Sequence, residues 1–393
     1  MEPRVLSVQS TVVHGNVGNR CAAFVLCASG LEHDVLHTVQ LSIRGGYGGA
    51  LAPRGTRLAA AEAEALFGGL RAAGLLRSYS HVLSGYCSDA NVLRVLAAAV
   101  REMREMRKRE GGRDPPAEPP AEAPEFVLDP VLGDNGRLYV PAELVPVFRD
   151  ELVPLATLLT PNQFEAETLS GVPIRDSASA SAGLSALHAL GARTVVITST
   201  ERSARVRRRP RAGDRAPSGA GASPPPPDAL AMIVSCPFAD VSESELFAGG
   251  AGRGAGGHAQ FAVLLPRIDG EFSGTGDLTA ALLLVERLRR PHDLVAAVES
   301  VCAVLLGVCA HTLAHFRRCT EAARGEQPEP SLAAAASAAS AAGCPSTQAF
   351  NELRLAESMK LVADPAAARA ERVDIRAFLL EELELSIEIG GGV

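Results

Sequence analysis

The sequence predicts an α/β protein with a mainly parallel central sheet, and three observations predict it. Short apolar, β-rich runs recur at Val5–Val8, Val35–Leu41, His81–Ser84, Phe126–Leu128, Thr157–Leu159, Thr194–Thr198, Met232–Ser235 and Phe261–Leu265. Helical stretches alternate with them, at Asn19–Ser29, Ala59–Ala73, Asn91–Lys108, Gln163–Ser170, Ser177–Leu190, Gly276–Arg289 and Leu294–His315. Such alternation argues for strand–helix–strand crossovers and parallel strands. The polar motifs follow strands, and ligands of these sheets sit beyond the carboxyl ends of strands.

Bulk composition narrows the function. With 393 residues, 47% hydrophobic and 21% charged, the chain can bury the core of one large domain or two. A net charge of −7 argues against a general nucleic-acid or membrane-surface binder. No apolar run is expected to be long enough to span a bilayer. A strand-like run from Arg4 leaves no room for a leader peptide, so a cytosolic protein is expected. Eight cysteines, none in a CxxC pair, read as buried thiols in a reducing compartment, not as a disulfide framework. Lys108 and Lys360 are the only lysines. That excludes a Gly-Lys-Ser/Thr phosphate loop and offers no convincing Schiff-base lysine. Phosphate, if handled, must meet backbone N–H groups, a metal ion or arginine.

Four segments read as flexible inserts: 109–124 (Pro- and charge-rich), 201–228 (seven arginines, then a proline run), 249–257 (Gly and Ala) and 321–343 (Ala and Ser). The arginine cluster lacks an aromatic residue for stacking on bases. The Gly-rich 249–257 segment lacks the lysine of a phosphate loop and precedes its strand instead of following it. His311 and His315 have an i, i+4 spacing that zinc can use, but their helix is otherwise apolar and lacks the glutamate of a metalloprotease.

The chemistry concentrates in loops. In "EFSGTGDLTAALLL" two glycines and Asp277 precede an apolar helix. The helix N-terminus is an anion site, where Asp277 is either a cap or a general base. In "VLDPVLGDNGRLYVP" Asp129 and Asp134 leave a strand and suit either turn chemistry or hydrated Mg²⁺ with phosphates. In "LLTPNQFEAETLSG" Thr160 or Asn162 can cap the next helix, with Glu165 completing a capping box or facing metal-bound water. Thr198 and Ser199 end a buried strand in hydroxyls. Ser10 ends the first strand, ahead of Gly15 and Gly18; no G-x-G-x-x-G follows.

Taken in order, these blocks, with "VLSGYCSD" and "NELRLAESMKLVADP", resemble pyridoxal kinases of the ribokinase-like superfamily. The resemblance implies a three-layer α/β/α sandwich over residues 1–365, with 366–393 as an extension, usually dimeric. It implies transfer of the ATP γ-phosphoryl group to the 5′-hydroxymethyl of a B6 vitamer. Asp277 would be the base, and Gly274, Thr275 and Gly276 the anion hole. Asp129, Asn162 and Glu165 would serve Mg²⁺, mostly through water. Asp134, Tyr139, Thr160, Thr198 and Ser199 would fall on the ATP side. Ser10, Tyr86 and Gly45 would hold the pyridine, and K⁺ or another monovalent cation would assist. Arg44 and Gly45 stand where the family has His and Thr, which bears on vitamer preference. A kinase for another heteroaromatic alcohol, such as hydroxymethylpyrimidine, and a non-catalytic vitamer or nucleotide binder are the alternatives.

Overall fold

The structure is a computed structural model that describes residues 2–45, 52–111, 123–200, 204–208, 229–241, 257–268, 270–322, 352–365, 376–380 and 383–387. In chain order it contains β1 (Arg4–Val12), α1 (Asn19–Ala28), β2 (Glu32–Leu41), β3 (Gly55–Arg57), α2 (Ala60–Ala72), β4 (His81–Ser84), α3 (Ala90–Gly111) and β5 (Glu125–Leu128). There follow the hairpin β6 (Gly133–Asp134) and β7 (Arg137–Leu138), α4 (Leu144–Val147), β8 (Leu158–Leu159), α5 (Gln163–Ser170), α6 (Ser177–Ala189), β9 (Thr194–Ile197) and β10 (Ala204–Arg208). The chain continues through β11 (Ala229–Pro237), β12 (His258–Pro266), α7 (Thr275–Arg289), α8 (Leu294–Ala322), a short helix Met359–Ala363, β13 (Arg376–Leu379) and β14 (Leu383–Ile387).

One twelve-stranded sheet runs β13-β12-β11-β9-β8-β5-β4-β1-β2-β3, with β10 on β11 and β14 on β10. The central strands β2, β1, β4, β5, β8 and β9 are parallel, as helical crossovers require. Both flanks are antiparallel: β3 on β2, and β11, β12 and β13 beyond β9. Side-chain alternation divides the core into two sides. Leu6, Phe126 and Leu128 pack with α2, α3, α5 and α6, while Val5, Val127 and Leu158 pack with α1, α7 and α8. The result is three layers.

The segments expected to be inserts behave unevenly. Residues 109–111 close α3, 321–322 close α8, and 112–122, 209–228, 249–256 and 323–343 lie outside the described residues. Within the arginine-rich segment Ala204–Arg208 is a strand, because its backbone finds partners in β11 and β14. The extension supplies β13 and β14.

Two expectations need correction. Leu294–Cys319, 26 residues within α8, is long and apolar enough to cross a membrane. It is instead a core helix: 83% of its most apolar window is buried within the protein. Its apolar side chains, among them Leu294, Val298, Val301 and Leu305, pack with α1, α7 and the sheet. Of seven described cysteines, all free, Cys27 is exposed and Cys319 partly so; Cys344 lies outside the described residues. No cluster of three metal-ligating side chains occurs among the described residues. His311 bonds Ser358 Oγ, and His315 faces Cys319 and Glu357.

At the end of the sheet remote from the polar loops, the Arg287 guanidinium lies 3.3 Å from Glu125 and 3.7 Å from Asp240, which also pairs with Arg193. Arg287 and Asp240 are buried, so truncating Arg287 leaves Asp240 with the half-exposed Arg193 as its remaining partner. We expect Arg287→Ala to cost about 3 kcal/mol in urea unfolding. A loss below about 1 kcal/mol would show the network to be solvated.

Candidate active site

The turn before α7 is the centre of the site. Gly274 is the N-cap, at φ +91°, where a side chain is strained; a Cβ there would lie 2.3 Å from the Asn16 carbonyl oxygen. Thr275, Gly276 and Asp277 form the first helical turn, so their N–H groups lack intrahelical acceptors. The cap reading of Asp277 is thereby excluded: Gly274 holds that position. The Asp277 carboxylate instead faces the N–H of Gly18, the N-cap of α1, which favours its charged form. Burial raises its pKa to about 6, and the Gly18 N–H partly offsets this.

Two further carboxylates stand close. A Cβ on Gly276 would meet Asp129 Oδ2 at 3.7 Å, which places Asp129 beside the helix start. Asp129 is 5% exposed, and burial, with Glu165 and Asp277 nearby, lifts its pKa well above the usual range. Glu165 is driven to about 8 by burial, against three backbone N–H bonds from Asn162, Leu132 and Gly133. Asn162 caps α5 through Glu165 N at 2.9 Å, completing a capping box. Its Nδ2 donates to Gly133 O at 2.7 Å and so fixes the β6–β7 hairpin. Asn135 (φ 50°) and Gly136 (φ 73°) make the tight turn of that hairpin. Both Glu165 oxygens are thus engaged by backbone.

A cleft of about 340 Å³ opens beside this centre. Asp134, Thr198, Ser199, Thr275 and Gly276 line it, opposite an apolar wall that includes Leu230, Met232, Leu305 and Phe272. Arg267 brings a positive charge to it. Thr160 is buried behind, its Oγ1 donating to Leu128 O at 3.4 Å, and Thr198 Oγ1 donates to Pro161 O at 3.4 Å. Tyr139 is 61% exposed at the end of the hairpin.

The other side of Asp277 is reached through Gly18, whose would-be Cβ lies 2.2 Å from Ser10 O. Tyr86 packs with Val17, Val12, Val39 and Leu41, and its carbonyl accepts the Thr38 hydroxyl at 2.6 Å. Val17 in turn lies against Gly274. Gly45 is exposed, with open space where a Cβ would project. Its neighbour Arg44 pairs with Glu352 at 2.9 Å.

Sequence reasoning gave no role to Gly18, Asn16 or Glu352. Gly18 carried only the signal of a bend. Glu352 stands in the NELR block that carries part of the resemblance, but nothing there gives its role, since its partners lie over 300 residues away.

Comparison with known proteins decides what this arrangement belongs to. The chain is 32% identical to the pyridoxal kinase of Sus scrofa over 372 residues, which cover 93% of each chain. It is 33% identical to the Homo sapiens pyridoxal kinase, covering 84% of this chain and 90% of that one. The chain belongs to the pyridoxal kinases. A pyridoxal kinase from Leishmania donovani, in complex with ADP and pyridoxamine, superposes with a TM-score of 0.67 at 27% identity, over 98% of this chain and 99% of that one. The same enzyme with ADP and pyridoxine gives 0.67 at 28%, over 97% and 98%. Residues 119–210 match the phosphomethylpyrimidine kinase family. That match spans β5, the hairpin and α5, the elements beside which Asp129, Asp134, Asn162 and Glu165 stand.

Proposed function

We propose that the chain transfers the γ-phosphoryl group of ATP to the 5′-hydroxymethyl of pyridoxal, pyridoxine or pyridoxamine. The observation that carries this is a half-buried Asp277, its pKa raised, in the same helical turn as the Thr275 and Gly276 N–H groups, which have no intrahelical acceptor. Asp277 takes the hydroxyl proton. The N–H groups of the Gly274–Gly276 turn hold the equatorial oxygens of the moving phosphoryl group, where charge gathers. The apolar wall takes the adenine, and Thr198, Ser199 and Arg267 face the phosphates. Ser10, Tyr86 and Gly45 form the vitamer side.

Buried oxygen donors suit Mg²⁺, and their raised pKa values reflect charge that burial leaves uncompensated. Asp129 would hold it, with Asp134, Asn162 and Glu165 acting through water, and bound Mg²⁺ would neutralise the phosphate oxygens. We extend the reading to a K⁺-type monovalent cation, a homodimer and the cytosol. Replacing K⁺ in the assay, light scattering and cell fractionation test these. We take 1–365 as the kinase domain and 366–393 as an extension whose β13 and β14 join its sheet.

The direct test is mass-spectrometric detection of pyridoxal phosphate from ATP, Mg²⁺ and pyridoxal, with hydroxymethylpyrimidine as the competing acceptor. Phosphorylation of the pyrimidine alone would transfer the reading to that substrate class, and binding without product would make the chain a non-catalytic binder. The pH profile follows from Asp277. Its carboxylate must be ionised to act, so kcat/KM is expected to fall about tenfold per unit below pH ~6. A flat profile from pH 5 to 8 would remove Asp277 from the base role.

A further inference from the structure

Glu352 joins three separate segments of the site. Its Oε1 accepts Arg44 Nε at 2.9 Å, and its Oε2 accepts the Asn16 N–H at 3.0 Å. Its backbone bridges in parallel to Ser273, the residue before the anion-hole turn. Asn16 Nδ2 donates to Leu353 O at 2.8 Å, and the Asn16 carbonyl lies against Gly274. At Gly15, φ +112°, a Cβ would lie 2.6 Å from the Glu352 carboxylate, so only glycine admits the acid here. The side chains of Glu352 and Arg44 are 7% and 17% exposed.

A carboxylate withdrawn from water this close to an anion hole works against the hole. It adds negative charge near the place where phosphate oxygens must settle, and at low effective dielectric the repulsion is strong. Arg44 supplies the opposite charge, from the loop after β2. Its field also reaches the hairpin. Burial raises the Tyr139 hydroxyl pKa, Asp134 and Glu165 add to the rise, and Arg137 and Arg44 oppose it.

Building on the kinase reading, we propose that Arg44 and Glu352 are a positioning pair: Glu352 fastens the Asn16 loop and the Ser273–Gly274 turn together, and Arg44 cancels its charge so that phosphate is accepted there. Neither residue touches the reacting atoms. The pair makes the strap between the vitamer-side loop and the phosphoryl-side turn an ionic one.

A kinetic double-mutant cycle tests this, using the full chain with ATP, Mg²⁺ and pyridoxal. Arg44→Ala leaves Glu352 unpaired and should lower kcat about tenfold, with a smaller change in the pyridoxal KM. Arg44→Ala with Glu352→Gln removes both charges but keeps an acceptor for Asn16 N–H. It should recover most of kcat, so the double variant should exceed Arg44→Ala alone. Arg44→Lys should keep kcat within about threefold if charge cancellation is the role. Additive losses, or Arg44→Ala and Arg44→Lys both at the parent kcat, would overturn the proposal. If Arg44→Ala does not fold, Arg44→Gln takes its place in the cycle. An inactive parent chain would instead refute the kinase reading itself.

Discussion

Asp277→Asn is expected to lower kcat by about 10²–10⁴ while leaving the fold intact and, above pH ~6, more stable. The rate follows from the loss of the proton acceptor. The amide keeps an oxygen that can take the Gly18 N–H, so the geometry of the two helix starts survives. The sign of the stability effect is set by proton binding. The folded-state pKa, about 6, lies above the unfolded value, 3.8. Between these values the native state holds the proton more firmly, so ionisation opposes folding as pH rises through this window. Above pH ~6 that penalty is fully present, and Asn removes it. Because the residue is only half-buried, we expect a gain of about 1–2 kcal/mol at pH 8. Activity and urea unfolding measured on one preparation check both halves. A destabilised Asp277→Asn would mean that the carboxylate is held by bonds worth more than its desolvation costs.

Gly274→Ala is expected to lower kcat by about 10²–10³, in the range for removing an oxyanion-hole donor. Two causes combine at this position. The backbone is left-handed, which L residues occupy at a cost of about 1–2 kcal/mol. The new methyl would also meet the Asn16 carbonyl at 2.3 Å, and backbone cannot swing aside as a flexible side chain does. The turn must shift, carrying the Thr275 and Gly276 N–H groups off the phosphate oxygens. The vitamer dissociation constant should move much less, because Ser10 and Tyr86 stand on other elements. Equal losses in vitamer binding and turnover would point to general unfolding of the turn.

The parallel centre of the fold was legible because each of its strands is a local apolar run and each crossover helix a local period. The Asn162-x-x-Glu165 capping box was legible for the same reason: three residues separate its partners. The GTGD turn showed its glycines, and the helix expected from Gly276 begins at Thr275. The approach of Gly18 to Asp277 was not legible, since some 260 residues separate them. The antiparallel flank was legible only in part: β11 and β12 show as apolar runs at Met232–Ser235 and Phe261–Leu265, but their direction and their outer partners do not. The Ala204–Arg208 strand alternates with arginines in a segment whose composition reads as coil, and its partner Leu383–Ile387 follows it by some 180 residues. Glu352 was hidden in the same way, since nothing near it in sequence announces Arg44 or Asn16.

The pairing of β10 with β14, and of β12 with β13, has a consequence for biosynthesis. Strands near residue 204 and residue 261 wait for mates made more than a hundred residues later. Until those mates emerge from the ribosome, the nascent protein carries open hydrogen-bonding edges next to a finished parallel core. Stop codons or tags placed just after residue 365 should therefore lower soluble yield more than they lower the specific activity of the molecules that survive.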